Sequence, residues 1–355
     1  MTRAAVPASA GLQALVDTER LRRWMDQRGI GHGELTRCQL LAGGTQNILL
    51  RFERGGQCYV LRRPPAHPRP ESNAAMLREA RVLGALAGSG VPHAGLVAAC
   101  DDTEVLGTAF FLMRAVEGFN AGTSGLPALH ASRRDMRRRM GLAMAEAAAT
   151  LGSLDPDALG LQDFGRPQGF LQRQVDRWGR QLDSYAQHAA WPGPAGLPAI
   201  APIAQWLRSH QPADTAPGIL HGDFHLSNVM FRHDSAELAA VVDWEMSTVG
   251  DPLVDLGTLL ATWPRPDGAH HITNNIAPWE GFALEHELVA HYALHSPRDL
   301  SALRWYAVLA CYKLAVVLEG THARACAGLA PAATGDRLHQ AACGLLLRAT
   351  EWIER

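Results

Sequence analysis

The chain has 355 residues, 47% of them apolar and 19% charged, with a formal net charge of -2 at pH 7. That length supports two subdomains. The near-neutral charge gives no electrostatic reason to expect a nucleic-acid partner. No apolar run approaches the roughly 20 residues a membrane helix needs.

Residues 1–11 lack an apolar leader. The six cysteines are scattered without a Cys-x-x-Cys pair, which fits reduced thiols. The expectation is a cytoplasmic protein, monomer or homodimer, with no nucleic-acid and no membrane partner.

Asp17 is placed to cap a helix over 18–28, with Leu21, Trp24 and Met25 as its apolar stripe. Strands are expected over 35–41, 48–53 and 57–62. Between the first two lies Gly43-Gly44-Thr45-Gln46-Asn47. Glycines there let backbone N–H groups approach phosphates, although a plain hairpin turn reads the same way. No Gly-Lys-[Ser/Thr] follows, so this is not a Walker A loop. The proline-rich stretch 64–70 breaks regular structure. A helix over 72–86 and strands over 97–100 and 108–113 complete a five-stranded first part. Beyond 114–118 the pattern turns helical: 133–151, 170–186, 203–210, 284–293, 300–325 and 338–352.

The most informative stretch is His221-Gly222-Asp223-Phe224-His225-Leu226-Ser227-Asn228, followed by Val241-Val242-Asp243-Trp244-Glu245. Two short apolar strands, 229–231 and 238–242, separate its polar groups, so these sit at strand ends and loops, where ligands bind. An Asp, an Asn and a second Asp are the minimum kit for phosphoryl transfer. One carboxylate accepts the proton of an attacking hydroxyl; an amide and a second carboxylate hold Mg²⁺ against nucleotide phosphates. Asp223 is read as the base, and Asn228 and Asp243 as metal ligands. A zinc site built on His221, Asp223 and His225 is the competing reading, but no further His or Cys cluster at ligand spacing completes it.

These motifs, with Gly250-Asp251-Pro252-Leu253-Val254-Asp255 after them, resemble the aminoglycoside phosphotransferase superfamily. Tyr59-Val60-Leu61-Arg62-Arg63-Pro64, Arg78-Glu79-Ala80-Arg81, Phe164-Gly165-Arg166-Pro167 and Lys313-Leu314-Ala315-Val316 narrow the resemblance. They are similar to the branch that includes the kinase-like domain of acyl-CoA dehydrogenase fusion proteins. The resemblance implies an α+β, two-lobed protein-kinase-like fold, with a nucleotide-binding lobe over 1–115 and a catalytic, substrate-binding lobe over 116–355. It implies ATP, or GTP, with Mg²⁺.

By the same resemblance Arg62 stands where kinase-like folds carry the lysine that grips the nucleotide phosphates. Lys313 is the chain's single lysine, and it lies far along the second lobe. Strand alternation points the neighbouring Arg63 to the opposite face. Glu79 is the implied partner of Arg62. Met113 lines the back of the base pocket, and Arg114 and Val116 offer backbone groups to the base. Asp255 braces the catalytic loop and His221 orients it. Gly152 stands where the superfamily often has a His.

Aminoglycosides are polycations and call for acidic walls, whereas here Arg133, Arg134, Arg137, Arg138 and Arg139 cluster, and Arg173, Arg177 and Arg180 recur at helical spacing. That tilts the expected acceptor toward an anionic ligand, and the branch resemblance tilts it toward hydroxyacyl groups carried on CoA. An antibiotic kinase and a nucleotide-binding pseudokinase are the alternatives.

Overall fold

The computed structural model describes residues 15–41, 47–65, 67–188, 190–264 and 276–355. The chain divides into two compact units. One runs through Glu117 and also takes in Val242–Glu245; the other comprises Gly118–Val241 and Met246–Arg355.

The first unit holds α1 (Thr18–Gln27), β1 (Thr36–Leu40), β2 (Ile48–Arg54), β3 (Gln57–Arg63), α2 (Ser72–Ala85), β4 (Leu96–Cys100), α3 (Thr103–Leu106) and β5 (Phe110–Arg114). The strands form one antiparallel sheet in the order β1-β2-β3-β5-β4. Leu61 is paired with Leu50 on one side and Leu112 on the other. These three therefore share a face, as the two-residue period of a strand requires. Leu21, Trp24 and Met25 of α1 pack on that face, and Trp24 meets Phe110 edge-on at 4.8 Å. Asp17 caps α1, accepting from Arg20 N at 2.9 Å. Arg62 pairs with Leu49 and Phe111 and so belongs to the other face.

The second unit contains α4 (Ala121–Ser124), α5 (Ala128–Ser132), α6 (Arg134–Ser153), α7 (Phe170–Asp183), α8 (Ile200–Ser209), β6 (Gly218–Leu220), β7 (Val229–Phe231), β8 (Leu238–Val241), β9 (Thr248–Gly250), α9 (Leu253–Thr262), α10 (Glu285–His295), α11 (Leu303–Cys326) and α12 (Ala332–Glu354). Every residue of α9 is buried, which a helix apolar on all sides demands. The long α11 packs against α7, α9 and α12. Two small antiparallel pairs, β6 with β9 and β7 with β8, carry the loops that matter for chemistry. This α+β architecture, a five-stranded antiparallel sheet plus a helical region, is the one expected. Among the described residues no helix is long and apolar enough to cross a membrane.

Candidate active site

The second unit positions Asp223 by a loop whose backbone is held from two helices. Strand β6 leads into Gly222, whose φ of +83° suits glycine; a Cβ there would collide with the Met246 carbonyl. Asp255, in the first turn of α9, accepts from His221 N at 2.6 Å and from Gly222 N at 2.8 Å. Lys313 of α11 donates through Nζ to the Gly222 carbonyl. The lysine is buried and also lies 5.7 Å from the Trp178 ring centroid.

Asp223 itself is held by its neighbours. Asn228 Nδ2 donates to the Asp223 carbonyl at 2.9 Å and to its Oδ2 at 3.0 Å. His225 Nε2 lies 3.2 Å from the same Oδ2. Ser227 N–H donates to His225 Nδ1 at 3.2 Å, so Nδ1 is an acceptor and Nε2 carries the proton given to Asp223. Both contacts fall on Oδ2 rather than on Oδ1. Because Asn228 turns its nitrogen to Asp223, its carbonyl oxygen faces elsewhere.

Burial works to raise the Asp223 pKa, but His225, Lys313 and His221 outweigh it and hold the carboxyl well below the usual range. Such a carboxylate is ionised in the resting state, and it orients a hydroxyl better than it deprotonates one early. Burial pushes Asp255 up to about 7 in spite of its two backbone donors. The Lys313 ammonium is lowered by burial and supported by Asp223 and Asp255.

The first unit assembles a separate charged group. Arg62 Nε lies 2.9 Å from Glu79 Oε2 of α2. That contact is an ion pair whose angle is too oblique for a hydrogen bond. Arg62 Nη2 donates to Asp243 Oδ1 at 2.7 Å and lies 3.8 Å from Glu245 Oε2. Glu79 is buried while Asp243 is half-exposed. Asp243 has φ +68°, a left-handed conformation uncommon outside glycine and typical of functional loops. Burial pushes Glu79 up to about 7, with Arg62 pulling the other way. Arg63 faces the other side of the sheet and donates to the Leu15 carbonyl at 2.9 Å, as strand alternation requires.

Met113 pairs with Val60 and Leu96 within the sheet. Arg114 N donates to the Gly95 carbonyl at 2.8 Å, and its guanidinium lies over the Tyr59 ring. Val116 follows, half-buried, past the end of β5. Asn47 leads into β2, whereas Gly43, Gly44, Thr45 and Gln46 lie outside the described residues.

The structure thus groups Asp223 with Asn228, and Arg62 with Glu79 and Asp243. It adds two residues whose roles in the loop the motifs did not spell out. Lys313 had one signal, its being the single lysine in an otherwise arginine-only chain, set within an apolar helix. His225 had only its position in the loop. The groups of His and acidic residues whose donor atoms gather at metal spacing, among the described residues, do not include His221, Asp223 and His225. The arginine clusters are largely engaged in the fold. Arg133, Arg134 and Arg138 pair with Asp135, Glu280 and Glu287. Arg137 and Arg173 donate to backbone carbonyls. They carry no argument for an anionic acceptor.

A sheet unit bearing a buried Arg–Glu pair and a helical unit bearing a braced Asp–Asn loop define a kinase-like phosphotransferase. The profile of the phosphotransferase enzyme family (APH) matches residues 37–298, and the chain belongs to that family.

Acyl-CoA dehydrogenase family member 11 of Gallus gallus is 33% identical over 301 residues, covering 82% of this chain and 37% of that one. Acyl-CoA dehydrogenase family member 10 of Mus musculus is 29% identical over 282 residues, 78% of this chain and 25% of that one. The chain therefore spans well under half the length of these relatives. A crystal structure described as a "putative aminoglycoside phosphotransferase" from Ralstonia eutropha JMP134 superposes with a TM-score of 0.79 at 28% identity, covering 96% of this chain and 98% of that one. Aminoglycoside phosphotransferase APH(4)-Ia, solved with AMP-PNP and hygromycin B, shares the fold at 16% identity and a TM-score of 0.58, with 93% and 98% covered.

Proposed function

We propose that the chain is an ATP-dependent small-molecule O-phosphotransferase whose acceptor is a hydroxyl group, with a hydroxyacyl-CoA as the leading acceptor class. The observation that carries the reading is the Asp223 carboxylate, held ionised and aimed by Asn228 and His225 on a loop clamped by Asp255 and Lys313. The acceptor oxygen forms a bond to the γ-phosphorus as the bond to the β-phosphate oxygen breaks and ADP leaves. The acceptor proton passes to Asp223 Oδ1.

Asn228 and Asp243 are the Mg²⁺ ligands in this reading. Their amide and carboxylate oxygens are the hard donors that ion takes, and the half-exposed Asp243 in a left-handed turn suits a ligand position. The bound ion would neutralise charge on the phosphates. Arg62, fixed by Glu79, supplies a planar fork where a compact ammonium is more usual, and a fork can take two phosphate oxygens at once. The glycine-rich segment Gly43 to Asn47 is assigned to the phosphates in this reading, and Met113, Arg114 and Val116 to the base. The acceptor class rests on the likeness to relatives named as acyl-CoA dehydrogenase family members.

The test is Mg²⁺-dependent ATP consumption across hydroxyacyl-CoAs, sugars and aminoglycosides, with Asp223→Asn as control. Loss of the base is expected to lower turnover roughly 100- to 10,000-fold with the fold intact by circular dichroism. Turnover confined to aminoglycosides would make the chain an antibiotic kinase. Nucleotide binding without turnover on any acceptor would favour a pseudokinase.

A further inference from the structure

Far along the chain from the catalytic loop, α11 and α12 bring together side chains that the phosphotransferase chemistry does not use. Glu319 and His322 lie three residues apart on α11, and His339 faces them from α12. Each offers one ligand atom, and the three atoms lie within 4.8 Å of one another. Glu319 is fully buried. Its Oε2 lies 2.7 Å from His339 Nδ1, and its Oε1 accepts from Trp191 Nε1 at 2.7 Å. The two imidazoles lie 4.5 Å apart and 30° from parallel. Beyond each ring sits a thiol, Cys326 Sγ 3.6 Å from His322 Nε2 and Cys343 Sγ 3.6 Å from His339 Nε2.

Two features make this more than a buried ion pair. His322 Nδ1 is buried with no hydrogen-bond partner, its nearest acid being Asp336 Oδ1 at 3.9 Å. Buried polar atoms in folded proteins are seldom left so. Two imidazoles stacked this closely also bring a ligand nitrogen from each helix to one place. Gly335 fixes the approach of the helices: a Cβ there would collide with the Ala325 side chain and stand 3.6 Å from His322 Nδ1.

We infer that Glu319, His322 and His339 form a three-ligand site for a transition-metal dication, zinc being the expected ion, with water in the fourth position. A carboxylate and two imidazoles are a donor set zinc takes. Tetrahedral bonds of about 2.1 Å place ligand atoms about 3.4 Å apart, a spacing reached by small side-chain shifts. Uptake replaces the hydrogen bond between His339 and Glu319, and the Trp191 N–H orients the carboxylate as an outer partner. The site ties α11, α12 and the Trp191 segment together, on the helix that also supplies Lys313.

The trio Glu146, His291 and His295, nearer the surface, is a second place where zinc could collect, so the experiment uses His291→Ala/His295→Ala as background. Zn²⁺ is titrated against a chromophoric chelator in excess Mg²⁺, and melting is followed with and without Zn²⁺. The background protein should take up one tight equivalent and melt at a higher temperature. Glu319→Gln, which keeps the side-chain volume, should weaken binding by at least the roughly 10- to 100-fold that loss of an outer partner costs. His322→Asn/His339→Asn should abolish it. No tight equivalent in the background protein, or equal affinity in Glu319→Gln, would overturn the inference.

Discussion

Replacing Lys313 by Met tests whether the catalytic loop is held from below. The substitution keeps most of the side-chain length and removes the ammonium. Gly222 loses the donor to its carbonyl, and a buried acceptor without a partner costs about 1–3 kcal/mol. Asp255 and Asp223 lose the cation that favours their ionised forms, and removing one member of a buried charge pair typically costs about 3–5 kcal/mol. Relief from burying the ammonium, which already lowers its pKa, works the other way. Because Asp255 can shed its charge by binding a proton, the net loss should sit near the lower end, about 3 kcal/mol.

Urea unfolding reads this as a shift in midpoint at constant slope. The sharper measure is the double-mutant cycle with Asp255→Asn. The two residues hold consecutive peptide groups of one loop, so a coupling above about 0.5 kcal/mol is expected. Turnover should fall as well, by roughly 100-fold for a displacement of Asp223 near 1 Å. A coupling below about 0.5 kcal/mol, with Lys313→Met unfolding at the wild-type midpoint, would refute the clamp.

Arg62→Ala should leave Glu79 buried without its cation and lower stability by about 3 kcal/mol; because Glu79 titrates near 7, the loss should be larger at pH 8 than at pH 6 in urea titrations. Arg62→Lys should retain one of the two contacts and raise KM for ATP more than it lowers stability. Gly222→Ala, at φ +83° against the Met246 carbonyl, should destabilise by about 1–3 kcal/mol and reduce kcat, and a neutral result in either measurement counts against the loop geometry. Glu79 and Asp255 have folded pKa values near 7, above their ordinary 4.5 and 3.8. The stability they lend is present at low pH and lost as pH rises through 7. Asp223 runs oppositely, its contribution present above its ordinary 3.8 and lost on acidification. Glu79→Gln/Asp255→Asn should flatten the fall in urea midpoint between pH 5 and pH 8; an unchanged slope would contradict the burial argument.

Much of this site could be read in the sequence because its parts are local. The Asp223–Asn228 pair is closed by a five-residue loop, and the placement of Arg62 and Arg63 on opposite faces follows from strand alternation alone. What escaped was set by distant packing. Lys313 reaches Gly222 across 91 positions, a contact no local pattern encodes. Val242 was expected to continue its strand, yet β8 ends at Val241 and Val242–Glu245 joins the first unit. Pairs as short as Gly218–Leu220 with Thr248–Gly250 have too few residues to show a period. Helix α12 begins at Ala332, earlier than the expected 338; Gly335, a poor helix former by propensity, lies inside it because α11 needs close approach there.

The buried Lys313 has one more implication, chemical rather than structural. The chain's single ε-amine is buried and 32 other basic side chains are arginines. Thioesters transfer their acyl groups spontaneously to exposed amines, and guanidinium groups, always protonated, do not compete. If the acceptor is the hydroxyacyl-CoA proposed above, this surface offers it no lysine to acylate, and acylation of Lys313 would instead clock the opening of its own core.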